Sequence, residues 1–129
     1  MNFEKIVRST LWLSVAFNFF AAYSMAFPSS YSGQLLDLPQ NVPVLYAALL
    51  SAVVAFFGFV YAWLAWQPTF EKHLLFLGAS GKLVFFSVAF LAWLLGDTSG
   101  NFALLTAGDL ILGSLWLLWL YAHRSSNDA

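Results

Sequence analysis

The chain is 129 residues long, with 61% hydrophobic residues, 19% aromatic residues, 9% charged residues and a net charge of −1. A water-soluble domain carries about 25% charged residues, so this composition excludes a disordered chain, a nucleic-acid binder and an ordinary cytosolic enzyme. It points to an integral membrane protein, and the lack of cysteine removes disulfides, thiolate metal sites and iron–sulfur clusters.

A spanning helix needs about 20 mostly apolar residues. Four stretches meet that length. The first covers 9–27 and stops at Pro28. Lys5, Arg8 and the Ser24-Met25-Ala26 triplet give it the form of a signal peptide. Its apolar run exceeds the usual limit of about 15 residues for such a segment, and Asn18 interrupts it, so it reads as a retained span. A 15-residue connection follows over 28–42, carrying Gly33, Pro39 and the leucines 35, 36 and 38. Connections of this length usually have a role. Two readings are open: a short interfacial helix with its leucines at the headgroups, or a lid over a cavity between the helices.

The second span covers 43–66, between Pro43 at a first helical position and Pro68 just past the end. Ala47, Ser51, Ala55, Gly58, Ala62 and Ala65 form a stripe of small residues along it, the pattern that lets helix backbones approach closely. The third span covers 74–95 and ends at Gly96-Asp97; the fourth covers 102–122. Gly78, Gly81 and Gly108 are further packing positions on these two. Short links make helices two, three and four antiparallel neighbours. The fold class is therefore all-α: one transmembrane domain over 1–129, a four-helix up-down-up-down bundle.

Lys5, Arg8, Lys72 and Arg124 fall on one side of the four spans, while the other two connections hold Asp37 and Asp97 and no Lys or Arg. The positive-inside rule puts both termini in the cytoplasm. Trp12, Tyr23, Tyr46, Trp63, Trp66, Trp93, Trp119 and Tyr121 lie where interface anchors belong, and Trp116 lies deeper. The other nine charges mark the water-facing sides; Lys82 and Asp109 sit inside spans three and four. Each costs roughly 2.5–3.5 kcal/mol at the bilayer centre unless it faces the bundle, water or a partner. At a rise of about 1.5 Å per residue, Lys82 lies roughly 12 Å and Asp109 roughly 20 Å from the cytoplasmic end, an offset that a lysine side chain bridges. Asn18, with Ser14 one turn away, lies about 15 Å deep on helix one, and Thr106 shares the Asp109 face. Ser14, Asn18, Lys82, Thr106 and Asp109 are thus one candidate polar cluster.

Two roles compete for that cluster. One is structural, fixing helix register and pairing. The other is a site for a proton, an anionic or apolar small molecule, or a quinone or lipid headgroup. No GxSxG, Walker A or HExxH motif is present. No catalytic residue, metal or cofactor is therefore expected. The leading expectation is a non-enzymatic accessory or interaction protein that self-associates or binds a membrane partner. Ligand or proton handling through Asn18, Lys82 and Asp109 is the alternative, and an enzyme acting on a lipid or quinone is the least favoured.

Three short motifs, Tyr61-x-x-Leu64-Ala65 with Pro68, Leu77-Gly78-x-x-Gly81-Lys82-Leu83 and Gly108-Asp109-Leu110, carry a resemblance. The half of the chain that holds them resembles a group of small bacterial four-helix membrane proteins without assigned activity. The four-helix plan is also loosely similar to DoxX-like proteins, which are linked to quinone or redox assemblies. The resemblance implies a multi-pass protein of the bacterial inner membrane and transfers no catalytic assignment.

The cysteine-free chain makes orientation directly measurable. An impermeant maleimide applied to intact cells is expected to label Gln40→Cys and to spare Ser125→Cys until the cells are lysed. The reverse pattern refutes the assigned topology.

Overall fold

Backbone groups inside a bilayer must pair within their own helix, and the four apolar stretches do so. A computed structural model describes residues 2–127; Asp128 of the C-terminal tail lies outside the described residues. The elements are α1 (Phe3–Ala26), α2 (Tyr31–Leu35), α3 (Val44–Trp66), α4 (Lys72–Leu94) and α5 (Gly100–Ala122), followed by a 3-10 turn at Arg124–Asn127. The described residues are otherwise turns and loops without a strand. Helices α1, α3, α4 and α5 are long and apolar enough to cross a membrane. At 23–24 residues each, they match a hydrocarbon layer of about 30 Å.

The helices begin and end where local chemistry dictates. Helix α1 starts at Phe3, six residues before the apolar stretch, because Asn2 caps it through the Glu4 amide and Glu4 pairs with Arg8 one turn on. Hydropathy locates the buried part of a helix, not its polar first turns. Glu4, Lys5 and Arg8 are therefore helical residues rather than tail, and Lys72 opens α4. Glu71 caps α4 by accepting from the amides of His73 and Leu74. At the far end of α4, Gly96 takes φ +82°, its amide donates to Trp93, and the Asp97 amide donates to Ala92. That is a Schellman stop, a backbone conformation glycine adopts without strain.

The spans form two tight antiparallel pairs, α1 with α3 and α4 with α5. The stripe of small residues on α3 serves the first pair. Ser51 donates to the Ala22 carbonyl at 2.7 Å, and a Cβ on Gly58 would stand 3.3 Å from Asn18 and Phe19. All four spans meet at the end that carries the termini. Val7, Leu11, Tyr61, Leu64, Ala65, Phe70, Leu75, Ala79, Leu112, Trp116 and Trp119 make one buried cluster there. Trp119 is thus a core residue and not an interface anchor: it packs edge-on to Phe70 and stacks on His123. The other seven expected anchors are exposed.

Two cations fasten this closed end. The Arg8 guanidinium donates to the carbonyls of Ala65, Gln67 and Pro68 and lies over the Phe70 ring, satisfying the open C-terminus of α3. Lys72 Nζ donates to the His123 carbonyl at 2.7 Å and does the same for α5.

The long connection contains a short helix, α2. Its Ser32 meets Ser24 of α1 at 2.7 Å, and Asn101 of α5 donates to the Leu35 carbonyl at 3.1 Å. Gly33 lies against Pro28, where a Cβ would come within 2.3 Å of a backbone oxygen. Of the three leucines, Leu36 is buried and Leu35 exposed.

Replacing Arg8 by Met is expected to destabilise the protein by about 1.5–3 kcal/mol, the usual worth of a hydrogen bond from a charged donor. Arg8→Lys restores only part of that, because a point charge cannot span three carbonyls. Thermal unfolding in nanodiscs measures both; an unchanged midpoint for Arg8→Met refutes the capping role.

Candidate functional site

Away from the closed end the two helix pairs separate, and a cavity of about 560 Å³ lies between them. Every span contributes to its wall: Asn18 from α1, Phe57 and Tyr61 from α3, Lys82 and Phe85 from α4, Thr106, Gly108 and Asp109 from α5. Its lining is mostly valine, leucine and phenylalanine. The mouth lies between α3 and α4, where lining residues such as Val53 and Val84 are more than half exposed. No residue of 28–42 lines the cavity. The long connection leans on α1 and the start of α5 and does not form its lid.

The floor of the cavity is polar. Lys82 Nζ donates to Asp109 Oδ1 at 2.6 Å, joining α4 to α5. The axial offset expected from the sequence does not keep the two side chains apart. The ammonium also lies 4.8 Å from the centroid of the Tyr61 ring and 5.6 Å from that of Trp116. Cation–π attraction of this kind strengthens as water is removed. The cation is therefore held by a carboxylate and two aromatic faces, and its side chain is 2% exposed against 21% for Asp109.

The neighbours of the pair are arranged to hold it. Tyr61 donates its hydroxyl to the Gly78 carbonyl at 3.3 Å, and a Cβ on Gly78 would come within 2.9 Å of that ring. Glycine at 78 is what lets the ring reach the ammonium. Trp116 Nε1 donates to Thr10 Oγ1 at 2.9 Å, which in turn donates to the Val7 carbonyl. Through these bonds the environment of Lys82 draws on all four spans.

The residues singled out in the sequence separate into distinct roles. Asn18, Lys82, Thr106 and Asp109 line the cavity. Asn18 does not bond the ion pair; its amide donates to the Val54 carbonyl at 2.9 Å and ties α1 to α3. Thr106 donates to the Ala103 carbonyl of its own helix. Ser14 is fully buried in the helix interface and is not a cavity residue. Gly58, Gly78 and Gly81 meet neighbouring side chains as packing glycines do, and Ala55 lies half-buried on the same face of α3 as Ser51. Gly108 is different: a Cβ there would meet nothing within 4 Å, so it borders the cavity instead of packing a helix. Tyr61 and Trp116 as partners of the ammonium were not legible in the sequence. The available signal was Tyr61 in the small-residue span and Trp116 two helical turns from Asp109.

Comparison with family models, with curated proteins and with solved structures finds no match. The resemblance to bacterial four-helix and DoxX-like proteins therefore rests on the quoted motifs and the four-span plan alone.

Breaking a buried ion pair by removing one partner costs about 3–5 kcal/mol, whereas replacing both by apolar residues is often neutral. Asp109→Leu is expected to cost more than Lys82→Met, because it strands the more deeply buried charge. Lys82→Met/Asp109→Leu is expected to recover most of the loss in thermal unfolding. Additive single effects refute the coupling.

Proposed function

We propose that this protein is a non-enzymatic, membrane-embedded binding protein that takes a lipophilic small molecule sideways from the bilayer into the cleft between its two helix pairs. The observation that supports this reading is the cavity itself. Its volume of about 560 Å³ falls in the range of about 300–1,000 Å³ typical of small-molecule sites. Such sites combine apolar walls with a few placed polar groups, and here the walls are aliphatic and aromatic while Asn18, Ser80, Lys82, Thr106 and Asp109 supply the polarity. A ligand reaching it between α3 and α4 never leaves the hydrocarbon.

The accessory or self-associating role has less in its favour. The exposed apolar faces of the spans suit lipid as well as a protein partner, so they do not single out the latter. The basic residues around the closed end support a cytoplasmic location for both termini. Assignment to a bacterial inner membrane rests on the resemblance.

Gly108→Leu tests the cavity without touching the ion pair, since the added side chain enters open space. Nanodisc-embedded protein is titrated with dodecanol, dodecyl methyl ether and dodecanoate, and thermal stabilisation is recorded. At least one of them is expected to stabilise the native chain and to lose that effect in Gly108→Leu. No stabilisation by any of the three, or equal stabilisation of both chains, overturns the binding role.

A further inference from the structure

The polar atoms facing the cavity are unequal in kind. Lys82 contributes the cation of the pair, yet its ammonium is committed to Asp109 Oδ1 and to the faces of Tyr61 and Trp116, and its side chain is almost wholly covered. Asp109 contributes the more exposed half of the pair, and among the described residues its second oxygen, Oδ2, accepts no hydrogen bond. Asn18 commits one amide N–H to the Val54 carbonyl, which leaves its amide oxygen and second N–H for the cavity. Thr106 spends its hydroxyl proton on the Ala103 carbonyl. Donors remain on the Ser80 hydroxyl and the second Asn18 N–H, but the one charged group with an open hydrogen-bonding atom toward the cavity is the Asp109 carboxylate, an acceptor.

We infer that the cavity selects lipophiles whose head is a neutral hydrogen-bond donor, an alcohol or phenol, with Asp109 Oδ2 as the acceptor that receives it. The inference rests on the binding role proposed above and names the ligand class for that same site. It departs from the anionic ligand that a membrane-embedded lysine suggests by itself. An anionic head would meet the carboxylate before the ammonium and be repelled by it. A cationic head would lie beside an ammonium that already neutralises Asp109. A head with no donor, such as an ether, would cover Oδ2 without bonding it and leave a buried acceptor unpaired, which is costly. An alcohol satisfies the oxygen and adds no charge.

The titration series separates these heads on one chain length, using the native protein in nanodiscs and alkaline buffer so that dodecanoate stays ionised. Dodecanol is expected to bind about tenfold or more tightly than dodecyl methyl ether or dodecanoate, the ratio that one hydrogen bond to a charged group supplies. Asn18→Leu is expected to narrow the preference for the alcohol over the ether while leaving the preference over dodecanoate, because Asp109 remains. Binding of the ether as tightly as the alcohol, or tighter binding of dodecanoate, overturns the donor-head inference while leaving a binding role standing. Failure of all three probes overturns both.

Discussion

The Lys82–Asp109 pair is the constraint around which the bundle is organised. An ammonium and a carboxylate within a bilayer-spanning bundle cannot be left apart, because neither has water to solvate it. Their pairing commits α4 to α5 in one register. The remaining surface of the ammonium must also be covered, and Tyr61 of α3 and Trp116 of α5 cover it with ring faces. Trp116 then needs an acceptor for its own indole proton and finds Thr10 on α1. One buried charge thereby recruits a group from each span, and the tight half of the bundle grows outward from it.

The same constraint explains where the bundle opens. The aromatic and aliphatic cluster on the terminus-bearing side of the pair draws all four helices together, with Arg8 and Lys72 closing the ends of α3 and α5. On the other side, Asn18 to Val54 and Ser51 to Ala22 hold α1 to α3, and α5 reaches α1 through the connection, by Asn101 to Leu35 and Ser32 to Ser24. Among the described residues, no hydrogen bond other than Tyr61 to Gly78 at its floor joins the pairs across the cavity, so they part. The ion pair stands at the junction, with its cation turned into the closed half and its anion toward the cavity. A structural role and a binding role are therefore compatible in the same two residues.

Much of this architecture was legible in the sequence. The span positions, the Gly96 stop and the pairing of Lys82 with Asp109 follow from hydropathy, turn chemistry and the cost of charge in hydrocarbon. The misreadings share one cause. Trp119 reads as an interface anchor because it lies near a helix end, and Gly108 reads as a packing residue because glycines in spans usually are. Which side of a helix faces a neighbour, lipid or a void depends on how far apart the axes are, and that distance is absent from a linear pattern. Ser14 shares the helical face of Asn18, yet the helices have closed at the level of Ser14 and separated at Asn18.

Composition and order along the chain determine that this is a four-span membrane protein, because the bilayer imposes the same length and apolarity on every span regardless of its neighbours. They also determine that two charges must find each other. Only the tertiary structure decides that the cation is enclosed and the carboxylate left accessible, since exposure depends on the rings of Tyr61 and Trp116 arriving from other parts of the chain. It also decides that a cavity exists at all, because the gap is set by the spacing between helix pairs and by no single residue.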